Sequence, residues 1–116
     1  MVSARSNAPE RGDIVWIDFS PQAGHEQAAR RPALVLSPQT YNRRAGMMLA
    51  CPITSQVKGY AFEVMLPPGS PVHGAVLSDQ LKNLDWQVRR AEFACRAPAE
   101  VVADVLAKLS ALLSTD

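Results

Sequence analysis

From position 13 to 19 the chain alternates with period two, Val15, Ile17 and Phe19 against Ile14, Trp16 and Asp18, which predicts a strand with Asp18 in solvent. Residues 20–30 carry Pro21 and Gly24, turn polar and read as a loop. Residues 32–37 (Pro-Ala-Leu-Val-Leu-Ser) form an unbroken apolar run, the mark of a buried strand. Ser37-Pro38 opens a short helical turn through Tyr41, since proline suits the first helical position. Residues 47–54 predict a third strand in which Pro52 demands an edge or a bulge. Residues 62–66 predict a fourth strand and 67–74, rich in proline, a rigid loop; 75–81 and 87–96 read as two further strands. The pattern then changes: Val102, Val105, Leu106, Leu109, Leu112 and Leu113 recur at helical spacing, with Pro98 and Glu100 suited to a first turn, so one amphipathic helix should pack its stripe on the sheet.

Short strands followed by one helix predict a β-rich α+β fold: a small SH3-like barrel or a strongly bent antiparallel sheet, with a short helix after the second strand and an amphipathic helix at the C-terminus. A length of 116 residues fits one domain spanning 1–116, with 1–11 as a loose leader. No apolar run has the length of a membrane span and the polar N-terminus has no secretory core, so the expected location is the cytoplasm. Cys51 and Cys95 are far apart, form no CxxC and read as buried, reduced thiols.

The net charge of +1 hides a pattern. Residues 30–96 hold nine basic and four acidic groups, a balance of +5, between two ends of −2 each. Adjacent arginines at 30–31, 43–44 and 89–90, placed in loops, can build a phosphate-facing surface or simply a solvated face. Other chemistry lacks its residues. The only histidines are His25 and His73, in separate loops, with no HxxxH or paired-carboxylate motif for a metal. No glycine-rich phosphate loop follows a strand and no nucleophile-elbow serine occurs, so neither metal nor cofactor is expected.

Three stretches together resemble the MazF/PemK family of toxin ribonucleases: Gly12-Asp13 with Trp16, Asp18, Phe19 and Pro21; Gly24-His-Glu26-Gln27 leading to Arg31-Pro32-Ala33 and Ser37-Pro38; and Pro52-Ile-Thr54-Ser55-Gln56 with Lys58-Gly59. Gly74, Asp79-Gln80, Lys82 and Trp86 extend the match over nearly the whole chain. The resemblance implies a homodimeric, sequence-specific endoribonuclease of a type II toxin–antitoxin pair. It would cut single-stranded RNA without a metal and be silenced by a cognate acidic, MazE-like antitoxin lying in the RNA groove. Lys58, Asn42, Gln80, Lys82 and Arg89 fit positions lining that groove, with Gln56 and Arg30 beside them. Arg30 stands where some members carry histidine, and could only bind phosphate.

The residues support a matching chemistry. Cutting RNA with its own 2′-hydroxyl needs a proton acceptor, a proton donor for the leaving 5′-oxygen, and donors for the growing phosphoryl charge. Arg31 offers a fork of N–H groups and is biased to extended backbone by Pro32. Thr54, at a strand end, adds a hydroxyl, and Glu26 is the nearby candidate acceptor, or else a residue that orients Arg31. Trp16 and Trp86 read as core or dimer contacts, or as stacking platforms for bases. The rival readings are a non-catalytic nucleic-acid-binding module and a CcdB-like gyrase poison; the ending Leu113-Ser-Thr-Asp116 lacks the Trp-Gly-Ile of the latter.

Overall fold

A computed structural model describes residues 8–19 and 30–115. Among them run seven strands and two helices: β1 (Asp13–Asp18), β2 (Arg30–Val35), α1 (Gln39–Ala45), β3 (Met47–Thr54), β4 (Glu63–Met65), β5 (Ala75–Leu77), β6 (Lys82–Asp85), β7 (Glu92–Arg96) and α2 (Ala99–Leu113). The strands form one open antiparallel sheet in the order β4-β5-β3-β2-β1-β7, with β6 also on β3. Of the two expected architectures, the open sheet is the one adopted; it does not close into a barrel.

The apolar runs have a simple cause: the sheet is covered on both faces. Ile14, Leu34, Cys51 and Ile53 belong to one core cluster, which Val101 and Val105 of α2 complete. Their strand neighbours Val15, Ile17, Ala33, Val35, Met48 and Ala50 belong to a second, closed by Leu84 and Trp86. Only Val105 of the predicted helical stripe is fully buried. Leu106, Leu112 and Leu113 stay exposed, and Leu106 and Leu113 join Leu36, Leu49 and Leu81 in an apolar groove of about 940 Å³. Among the described residues no helix is long and apolar enough to cross a membrane.

Several expectations are corrected. Asp18 is buried, not exposed, because two arginines neutralise it. Pro52 is neither at an edge nor bulged. It pairs with Ala33 in the middle of the sheet, at the joint where β3 has left β6 at Ala50 and joins β5 at Ile53, so that flank calls on no ladder N–H. The helical turn continues to Ala45. The strand expected over 75–81 ends at Leu77, and that over 87–96 begins at Glu92, because residues 86–90 form turns. The polar strand β6 carries no apolar pattern and was not foreseen. Residues 8–11, read as the end of a loose leader, are fastened down: Ala8 is in the core and Arg11 Nε donates to Leu36 O at 2.6 Å.

Candidate active site

Ala33 pairs with Pro52 as the last step of the β2–β3 ladder, and the same register carried two residues further sets Arg31 opposite Thr54. The strands part there because β3 turns to β5, where Thr54 pairs with Ala75. The opening is a cleft of about 580 Å³ lined by Arg31, Thr54, Ser55, Gln56, Trp16 and His73, among others. Arg31 is exposed, pairs with Ile17 in β1, and has no ion-pair partner among the described residues. Thr54 Oγ1 accepts the Gln56 backbone N–H at 3.0 Å, which leaves the hydroxyl proton free to donate. The Arg31 guanidinium and the Thr54 hydroxyl line one space. Glu26, with His25 and Gln27, lies outside the described residues.

Thr54 and Gln56 also border a second groove of about 500 Å³, shared with Lys58, Tyr60, Asp79 and Gln80. Lys58 and Gln80 are therefore brought to the same side of the sheet as Thr54. Asp79 was not singled out from the sequence as a site residue, although it stands beside Gln80 in the resemblance. The other carboxylate here, Glu63, is occupied by the backbone N–H groups of Lys58 and Gly59. Lys82 is exposed on β6 and lines neither groove.

The remaining candidates are spent on structure. Asn42 is fully buried, its amide donating to Pro9 O and Ser37 O while its oxygen accepts from Ser37 Oγ, so it cannot reach a base. Trp86 is buried and donates its indole N–H to Asn42 O, a core role. Arg30 is committed to Asp18 at 2.9 Å, to Glu92 at 3.0 Å and to Arg90 O. Arg89 donates to the carbonyls of Asp18 and Phe19. Arg90 pairs with Asp18 at 2.8 Å and adopts φ +55°, a strained conformation for a non-glycine residue. The hydrogen bond from Arg90, joined by that from Arg30, holds the Asp18 carboxyl below the usual carboxylate range against the effect of burial. The arginine pairs are thus mostly not loop groups facing phosphate: 30–31 open β2, 43–44 end α1, and only 89–90 lie in a turn. Burial, reinforced by Asp79, pushes the Cys51 thiol up to about 12, so it stays protonated and inert.

His73, which the sequence offered only as a loop histidine with no metal-ligand motif, is an addition to the cleft. Gly74 lies so close to the end of β3 that a Cβ there would fall 1.9 Å from Thr54 O, and this contact carries His73 to the wall of the Arg31 cleft.

An open antiparallel sheet that sets an arginine, without an ion-pair partner among the described residues, and a strand-end hydroxyl across one cleft offers donors of the type that suits phosphate oxygens. The chain matches the PemK-like, MazF-like toxins of type II toxin–antitoxin systems over residues 10–113. The endoribonuclease toxin MazF of Escherichia coli K12 is 44% identical over 105 residues, covering 90% of this chain and 94% of that protein. The endoribonuclease toxin ChpB of the same strain is 42% identical over 110 residues, covering 90% and 93%. MazF from Deinococcus radiodurans, solved by crystallography, is 56% identical with a TM-score of 0.84, covering 93% of this chain and 98% of its own. A MazE–MazF complex from that organism matches at 49% identity and TM-score 0.84, covering 94% and 98%. The chain belongs to the MazF/PemK family, as an endoribonuclease toxin of the type II toxin–antitoxin class.

Proposed function

We propose that this toxin cuts single-stranded RNA at short sequences, with the substrate's own 2′-hydroxyl as nucleophile and no metal in the reaction. The observation that carries the reading is the placement of Arg31, without an ion-pair partner among the described residues, and the Thr54 hydroxyl across the cleft where β2 and β3 part. Arg31 supplies a planar fork of donors to the phosphoryl oxygens and Thr54 supplies one more, at the place where negative charge grows. The 2′-proton passes to a carboxylate, which we assign to Glu26. Lys58, Gln56 and Gln80 lie along the neighbouring groove, where a lysine suits phosphate and the amides suit the exposed edges of unstacked bases.

The test is a pair of oligonucleotides that differ in one sugar. The ribose strand should be cut in EDTA to a 2′,3′-cyclic phosphate and a 5′-hydroxyl. A single 2′-deoxy nucleotide just 5′ of the scissile phosphate should abolish cutting and leave binding largely intact. Cutting of the deoxy strand at the same bond makes water the nucleophile and removes these roles. Binding of both strands without cutting, once the cleavage motif has been sought on a long RNA, favours the non-catalytic reading.

The proposed partners follow the same reading. A cognate acidic, MazE-like antitoxin segment orders on the toxin and competes with RNA, steered by the positive centre of the chain. A second copy of the chain covers the apolar groove around Leu36, Leu49, Leu81 and Leu106, whose exposure is costly in water. Sedimentation at micromolar concentration should therefore read twice 12.6 kDa, and a monomer there removes the dimer. The proposed location is the cytoplasm.

A further inference from the structure

Transfer of the 2′-oxygen to phosphorus leaves one role unfilled, the proton donor for the departing 5′-oxygen. Among the described side chains that line the Arg31 cleft, Arg31 offers N–H donors and no acceptor, and Thr54, Ser55 and Gln56 carry only hydroxyls and an amide. Among the described residues of that lining, His73 carries the one imidazole, a side chain able both to donate and to accept a proton.

Its placement is not that of a free loop residue. On one side Val72 is buried in the core cluster packed by α2. On the other, Gly74 is wedged against the Thr54 and Ser55 backbone, and its carbonyl accepts the Leu66 N–H at 2.9 Å. The next residue, Ala75, pairs with Thr54 itself. Pro67, Pro68 and Pro71 restrict the segment leading in. The backbone of His73 is therefore fixed relative to Thr54, while its side chain is exposed on the cleft wall. That combination, a fixed backbone and an accessible imidazole in the cleft that Arg31 lines, is what a proton donor needs.

We infer that His73 is a catalytic residue, the general acid of the cleavage step. The inference rests on the 2′-hydroxyl reading above. As the bond from the 2′-oxygen to phosphorus forms, the 2′-proton moves to the carboxylate base and the bond from phosphorus to the 5′-oxygen breaks. The His73 imidazolium gives its proton to that 5′-oxygen. The products are a 2′,3′-cyclic phosphate and a 5′-hydroxyl, with neutral His73 recharged from water.

The experiment compares parent, His73→Ala and His73→Gln on two oligonucleotides of the mapped cleavage sequence. One has the ordinary 5′-oxygen at the scissile bond; the other has sulfur there, a leaving group that departs without a proton. On the oxygen substrate both variants should lose about 10²-fold or more in kcat, with KM little changed. On the sulfur substrate they should come within about threefold of the parent. Equal loss on both substrates makes His73 a structural residue and overturns the inference. So does an oxygen-substrate rate within about threefold of the parent. A parent that cuts neither strand overturns the cleavage reading itself, an outcome distinct from a parent that cuts and a variant that is unaffected. His73 is exposed, so loss of fold is not expected, and circular dichroism checks it.

Discussion

Gly74→Ala places a methyl group where the fold has left no room for one. The added Cβ would stand 1.9 Å from Thr54 O, 2.8 Å from Thr54 C and 3.2 Å from Ser55 Cα. All three are backbone atoms, so no side chain can rotate away. The φ of +122° adds strain of its own, since L-residues with a Cβ rarely adopt it. Relief requires the loop or the end of β3 to retreat by about 1 Å, in a region packed to near-crystalline density. Overpacking of this kind costs about 1–3 kcal/mol and the strained φ about as much again, a total of roughly 2–6 kcal/mol. The retreat falls on Thr54 and, one residue away, on His73. A 1 Å misplacement of reacting groups is worth about 10²-fold in rate. Urea unfolding should therefore show a lowered midpoint with an unchanged slope, and the folded fraction should cut RNA about 10²-fold more slowly. A variant with the parental midpoint, cutting within about threefold of the parent, would falsify the close approach and its role in placing Thr54.

Other outcomes follow from the same geometry. Arg31→Ala should lower cleavage by about 10²–10³-fold without loss of stability, and Arg31→Lys should not restore the rate because a point charge lacks the fork; near-parental cutting by the alanine variant removes Arg31 from the mechanism. Asp18 has a carboxyl pKa held below its unfolded value, so its stabilising effect is complete above the ordinary carboxyl range of about pH 4 and is lost as pH falls through the lowered value. Asp18→Asn should accordingly reduce the midpoint at pH 7 while flattening its fall in acid, and an unchanged acid slope would count against the arginine clamp. With its thiol pushed up to about 12, Cys51 should resist a thiol reagent at pH 8 in the native protein and react only after unfolding; two rapidly reacting thiols in the native state would contradict its burial.

Local pattern alone determined β1, β3 and α2, because their residues obey a period that short-range sterics and burial impose. The sequence also offered Arg31 and Thr54 as strand-end groups, and the structure sets both on the lining of one cleft. What pattern could not decide was which polar groups are used up inside the fold. Asn42, Arg30 and Arg89 look like RNA ligands in the sequence. They are spent on Ser37 and Pro9, on Asp18 and Glu92, and on the Asp18 and Phe19 carbonyls, partners 70 or more residues away in the last case. Asp18 looked exposed because alternation sees one strand, whereas its burial depends on arginines from β2 and from the turn before β7. β6 escaped notice because a short strand held by pairing with β3 needs only one apolar residue, Leu84, to reach the core, too few to make a pattern. Pro52 looked like an edge because the exchange of β6 for β5 along β3 is a property of three strands together. His73 shows the same limit most plainly. Its nearness to Thr54 comes from a glycine with no side chain, and the space that glycine leaves exists only once the two segments are packed.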